Sequence, residues 1–228
     1  MGKVILSGVG KNVTEPVSLS PVFADNTWAA IVSACHNGSV PDTWVVGDQK
    51  PMTIGSRDFI INIIGKNHDD YTDGSGKAPL TFQLYDLYAS RKMGEYSTNA
   101  VSWAGTDMRN THLPELMGKM PPEVQAGIRM VHKTTVLGNY YSEIIPTEDK
   151  MFLLSYCEVL MSGSEGTQYE YYASGNSKIK YRDGIAQDWW LRSPYASNAD
   201  AYYYISANGG NSTANPTTAK YVSCAFCF

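Results

Sequence analysis

The residues whose types and spacing could do chemistry fall in a few places, and each departs from the pattern its chemistry needs. Cys224-Ala225-Phe226-Cys227 has CxxC spacing. A redox pair of that spacing opens a helix beside a βαβ unit, and zinc needs a second ligand pair. Here the motif follows a strand-like run with neither, so Cys227 reads as a buried structural cysteine. The loop His68-Asp69-Asp70-Tyr71-Thr72-Asp73-Gly74 is the best metal candidate, because Ca²⁺ takes carboxylate and carbonyl oxygens on a turning loop. As an EF-hand opening at Asp69, however, it has Tyr71 in the third position and Leu80 in the twelfth. An Asx-rich turn, with His68 as a loop hydrogen-bonding residue, is the competing reading.

The phosphate and nucleophile motifs are incomplete as well. Gly76-Lys77 runs into Ala78, and Tyr71 stands where a Walker loop opens with glycine. Gly8-Val9-Gly10 lacks the third glycine of a dinucleotide fingerprint. Ser164 sits in SGSEG, where Ser162 replaces the first glycine of a nucleophile elbow. His36, His68, His112 and His132 have no nucleophile partner in sequence, and no HExxH occurs. None of these residues argues for catalysis.

Binding chemistry is written in the last segment instead. Residues 195–228 carry only two charged side chains, Asp200 and Lys220; about six would be expected at the chain's own frequency. The segment holds Tyr195, Tyr202, Tyr203, Tyr204 and Tyr221, with Asn198, Asn208, Asn211 and Asn215 among Ser and Thr. Tyrosine gives large contact area at low entropic cost, and Ser, Asn and Gly give adaptable hydrogen bonds, as in antibody paratopes. A run of exposed tyrosine works against solubility unless something binds it. A tyrosine-rich sheet with polar loops is the plain alternative. If many of these positions began as Asn codons with randomised adenines, Trp, Met, Gln, Glu and Lys would be unreachable. Between Tyr195 and Cys224 the first four are missing, and Lys220 is the one misfit.

The elements that must position this segment read as α+β. Trp28, Ile31, Val32 and Cys35 fall at i, i+3, i+4 and i+7, which predicts a helix over 25–38, capped by Asp25 or Asn26 and stopped at Asn37-Gly38. TWVVGD, DFIINIIG, TFQLYDLY and VHKTTVL read as strands. Residues 106–128 form a helical zone broken at Pro114 and Pro121-Pro122. Thr147–Leu154 opens with a potential helix cap and continues apolar, and a further helix is expected over 166–173. Residues 1–24 form an extended, β-leaning lead-in, and 189–228 read as strands and loops. With no repeat and no linker, one domain is the simplest organisation.

Composition bounds the function. The 228 residues carry a formal charge of −4. No basic stripe offsets it, so a general nucleic-acid binder is not expected. No apolar run approaches the roughly 20 residues that span a bilayer, and the start MGKVILSGVG lacks the long apolar stretch of a secretory signal. Four cysteines, widely scattered, do not make a disulfide scaffold.

Two further blocks complete the pattern. Asp188-Trp189-Trp190-Leu191-Arg192-Ser193-Pro194 precedes the tyrosine-rich stretch, and Val222-Ser223-Cys224-Ala225-Phe226-Cys227-Phe228 closes it. Together they resemble the C-terminal signature of C-type-lectin-fold variable proteins of diversity-generating retroelements, which include phage tropism determinants. The upstream runs VVGDQKPM, IIGKNHDDYTDGSGKAPLTFQLYD, MRNTHLPELMGKMPPEVQAGI and TEDKMFLLS resemble an uncharacterised gut bacterial and phage domain ending in the same signature. Ser223-Cys224 departs from the Arg-Pro or Ser-Pro often found there.

The resemblance implies a single α+β domain of C-type-lectin fold over 25–228, with a variable region at about 195–224. It implies a non-enzymatic protein without catalytic residues, cofactor or metal, displaying a hypervariable surface. The ligand would be a protein or glycan on a cell surface, met from a phage tail virion or a bacterial cell surface, without membrane insertion. A homo-oligomer is compatible with it. Trp189, Trp190, Leu191, Arg192, Ser193 and Phe226 match the constant scaffold, with Arg192 held by a carboxylate or carbonyls. The expected ligand-binding face is Tyr195, Ser197, Asn198, Asp200, Tyr202, Tyr204, Ser206, Asn208, Asn211, Ser212, Asn215, Thr217, Thr218 and Tyr221. Strand alternation leaves Tyr203 and Ile205 open. A fixed-specificity carbohydrate-binding lectin, with Ca²⁺ in the acidic loop, is the alternative. An enzyme using Cys224 and Cys227 is the third class. Formylglycine-generating enzymes share the fold, but their catalytic cysteines find no match in this chain.

Overall fold

Nine residues of the helical zone near the start, Trp28–His36, form α1. Thr27 is its cap, accepting from the Ala30 amide at 3.2 Å. Asp25 and Asn26 were the expected caps, but Asp25 ends a preceding 3₁₀ turn, Phe23–Asp25, and the Asn26 side-chain amide closes that turn by donating to the Val22 and Phe23 carbonyls. Gly38, at φ +64°, ends the helix in a left-handed turn that costs a glycine little. The computed structural model describes residues 18–228. Most of the expected β-type lead-in over 1–24 lies outside them.

Fourteen strands follow. They are β1 (Gln49–Ile54), β2 (Arg57–Lys66), β3 (Leu80–Leu84), β4 (Ser90–Arg91), β5 (Val131–Gly138), β6 (Tyr141–Asp149), β7 (Met151–Leu153), β8 (Lys180–Arg182), β9 (Ile185–Gln187), β10 (Trp189–Pro194), β11 (Tyr202–Ile205), β12 (Asn211–Ala214), β13 (Lys220–Tyr221) and β14 (Cys224–Cys227). Five of them form an antiparallel sheet in the order β1-β2-β3-β14-β7. A second sheet runs β12-β11-β10-β13-β4, with β10 and β13 parallel. Hairpins β5-β6 and β8-β9 stand apart. The architecture is α+β and mostly sheet, and no described helix is long and apolar enough to cross a membrane.

The C-terminal strand β14 lies inside the first sheet between β3 and β7, and all four of its residues are buried. Phe82, Phe226 and Phe228 stack in its core with centroids 5.1–5.5 Å apart. One apolar cluster runs from Phe23 to Phe228 and includes both sheets.

Three local expectations are corrected. Thr147–Leu154 holds the end of β6 and all of β7, and no helix. Burial alternates with period two from Thr147 through Met151, which is the pleat of a half-buried strand. TWVVGD is a turn in which Asp48 accepts the Val45 amide at 2.9 Å; only Trp44 is buried. The helix expected over 166–173 shrinks to α5, Glu170–Ala173, because Gly166 is held at φ +129°. The broken helical zone is as its prolines dictate. A π-helical turn Met108–His112 leads into α2 (Leu113–Met117), and α3 (Pro122–Gly127) starts at a proline. A one-turn helix, α4 (Tyr156–Val159), carries a Ser155–Glu158 capping box.

Candidate functional site

Beneath the tyrosine-rich segment lies its support, β10, with all six residues buried. The Trp189 and Trp190 indoles donate to the Lys178 carbonyl at 3.0 Å and the Arg91 carbonyl at 2.9 Å. Arg192 is fully buried. Both its terminal nitrogens reach the Glu158 carboxylate, and it also donates to the carbonyls of Leu153 (2.8 Å) and Glu165 (3.0 Å) and to the Thr135 hydroxyl (3.2 Å). This is the carboxylate-and-carbonyl anchor anticipated for it. Ser193 donates to Glu165 and accepts from the Tyr156 amide at 2.8 Å.

The anchor continues inward as an ionic chain. Lys133 donates to Glu158 at 3.0 Å, to the Tyr169 hydroxyl at 2.8 Å and to Asp69. Burial alone would raise the Asp69 carboxyl, but the Lys133 ammonium outweighs it and holds the group at about 2. Burial likewise opposes ionisation of Glu158, and Arg192 and Lys133 reverse that, holding it below its ordinary value. Glu165 has no such cation in direct contact, and burial pushes it up. The acidic loop is therefore spoken for. Asp69 pairs with Lys133, Asp70 with Lys77 (2.9 Å) and Asp73 with Arg129 (2.5 Å). Among the described residues no group of three or more His, Cys, Asp or Glu is placed to hold a metal. His68 stacks on Tyr169 at 4.0 Å.

The cysteine pair is also structural. Cys224 and Cys227 are buried and unpaired. Three residues apart on a strand, they point to opposite faces. Burial pushes both thiols up, which keeps them protonated and poorly nucleophilic.

The expected face divides. Ser197, Asn198, Asn208, Asn211, Ser212 and Thr218 are exposed, and Tyr195, Asp200, Tyr204, Ser206, Asn215, Thr217 and Tyr221 are half-buried. Tyr202 is a correction. It is 0 % exposed and donates its hydroxyl to the Ser102 carbonyl at 2.9 Å, so it belongs to the core. Alternation along β11 sends Tyr203 to the opposite face from Tyr202 and Tyr204. Tyr203 is the aromatic that packs with Tyr195 (5.3 Å) and with Tyr156 (4.6 Å). Tyr204 lies under the Lys220 ammonium, 3.5 Å from its ring centre, and edge-on to Trp190. Lys220 is buried and pairs with Asp188 at 2.9 Å. The residue that breaks the Asn-codon pattern is thus part of the scaffold.

Three loops meet at one residue the sequence reading missed. Asn99 is fully buried. Its amide nitrogen donates to the carbonyls of Tyr195 (3.1 Å), Asn198 (2.6 Å) and Ala201 (2.9 Å), and its oxygen accepts from the Asn139 amide at 2.7 Å. It therefore ties the β10-β11 loop to the β5-β6 turn. Gly138, at φ +86°, passes so close that an added Cβ would lie 2.4 Å from the Asn99 carbonyl oxygen. Only the surrounding polar-rich loop gave a hint of Asn99, as a turn residue. Tyr140 and Tyr141 at that turn are 68 % and 58 % exposed.

Residues 80–227 match the family described as a domain of unknown function, DUF6273. The chain belongs to that family. The match begins at the first residue of β3, inside the five-stranded sheet, so β1 and β2 complete a sheet whose other strands lie within the matched residues. No curated protein and no solved structure matches the chain significantly.

Proposed function

We propose that this DUF6273 protein is a non-enzymatic binding protein of C-type-lectin type, whose β10–β13 region displays a surface diversified by a retroelement for recognition of a cell-surface ligand. The observation that carries the reading is the contrast within one segment. The WWLRSP block is buried and bonded at every polar group described above, while the loops that follow are polar, nearly uncharged and open. Tyr195 and Tyr203 offer aromatic area, and Ser197, Asn198, Asn208, Asn211, Ser212, Asn215, Thr217 and Thr218 offer hydrogen-bonding groups that any of several residues could replace. A rigid base with replaceable contacts is what a diversified binder requires. A protein ligand displayed on a cell, met from a phage tail or from a bacterial surface, suits such a surface.

Sequencing the 3′ end of this gene across its natural population tests the reading. Substitutions should concentrate at the open positions and spare Trp189–Pro194, Tyr202 and Lys220. Uniform variation across the gene would overturn it and leave a fixed-specificity lectin as the next reading.

A further inference from the structure

A cavity of about 170 Å³ lies where the Met93–Asp107 segment meets the Asn215–Pro216 turn. That is below the roughly 300 Å³ at which drug-sized sites begin, and suits a single side chain. The Met93 and Gly94 amides both donate to the Pro216 carbonyl, at 2.9 and 3.3 Å, and fix its two walls together. Buried Met93, Tyr202 and Pro216 back it, and the apolar wall open to solvent is Val101. Its mouth is acidic and aromatic. Glu95 and Asp107 line it, and the Tyr96 ring stands 80 % exposed. Glu95 is bridged to the exposed Lys92 at 2.8 Å. Half-buried Asp107 accepts the Glu95 amide at 3.0 Å and makes no ion pair among the described residues.

We propose that this cavity is an anchor pocket for a basic side chain, arginine or lysine, presented by a protein ligand. An aliphatic stem would lie against the exposed Val101 side chain and the Tyr96 ring, and the cationic head would meet Asp107 and Glu95. The pocket is built from both kinds of segment. One wall lies upstream of the segment proposed to vary, and the other is Pro216, next to Asn215, which bonds Ser97 and donates to Asp200 at 3.4 Å. Exchange at 215 or 217 would therefore reshape the pocket without touching its carboxylates. The inference rests on the proposed binding function and names the chemistry of its ligand.

The test is an amide-resolved NMR titration of the full chain with N-acetyl-arginine methylamide, and in parallel with its leucine and glutamate counterparts. Saturable shifts at Gly94, Val101 and Gly105 with the arginine compound alone are expected. Asp107→Asn keeps an oxygen for the Glu95 amide and should weaken that binding by about tenfold, the loss of one charged partner. Tyr96→Ala, at an exposed site, should weaken it less while leaving the spectrum of the fold intact. Equal shifts with leucine, shifts that Asp107→Asn leaves unchanged, or none at all would overturn the pocket. These outcomes are independent of gene diversity. A uniform gene with an arginine-selective pocket would sink the diversified reading alone, and a variable gene with a silent pocket would sink the anchor alone.

Discussion

Two regions of the molecule lie within a few residues of each other and are built on opposite principles. The chain Arg192–Glu158–Lys133–Asp69 is charged, fully buried and saturated with directional bonds. The β10–β13 loops above it are close to neutral; Asn99 holds the backbone of the first, but several of their side chains bond within their own turns, as in Ser206 to Asn208 and the Gly210 carbonyl. A buried ion network tolerates single changes poorly, because removing one member strands the others in a low dielectric. A self-closed polar turn tolerates many. The molecule therefore concentrates its buried ionic interactions beneath a polar, nearly uncharged surface.

The sharpest way to break this contrast is Arg192→Met. It leaves Glu158 with Lys133 alone, and a loss of about 3–5 kcal/mol is expected in urea unfolding. Adding Glu158→Gln to it should recover part of the loss; no recovery would show that packing, not charge, dominates at this site.

Acid should act in the same place with a smaller effect. Asp69 stands at about 2 in the folded protein against an ordinary 3.8, and Glu158 is lowered too. A depressed carboxylate contributes stability that is present above its unfolded value and lost as pH falls through its folded value. Stability should therefore drop between about pH 4 and pH 2, by about 2 kcal/mol from Asp69 alone. Glu165, pushed up by burial, works in the opposite sense, and its effect falls above its ordinary value of 4.5, before that drop begins. Thermal unfolding followed across that range checks the slope, and a flat profile would mean the network is not ionised as described.

The smallest effect should come from the surface. Tyr195→Ser or Tyr203→Ser is expected to change stability by no more than about 1 kcal/mol, where Tyr202→Ala, seven residues along from Tyr195, should cost several times that. If the Tyr195 and Tyr202 variants were equally damaging, the division between scaffold and display would be wrong.

Much of this was legible in the chain. The amphipathic stripe of α1, the proline breaks near Pro114 and Pro122, and the burial of Trp189, Trp190 and Phe226 follow from residue type and period. The carboxylate partner of Arg192 was expected in kind, and its identity as Glu158, 34 residues earlier, was not. Tyr202 was misread because three tyrosines in a row give no sign of which one the pleat turns inward. Asn99 was missed because its partners at 195–201 come about a hundred residues later.

By itself the sequence determined the balance of parts: an apolar, aromatic scaffold block, a nearly uncharged tyrosine and asparagine segment, and cysteines without a catalytic setting. These depend on local composition and spacing, which the chain states directly. Only the tertiary structure decided which tyrosine is core, which aspartates are already neutralised by lysine or arginine, and which loops share a cavity. Those are facts of long-range pairing. They arise when strands far apart in sequence are brought to within about 5 Å of one another, and no local pattern encodes them.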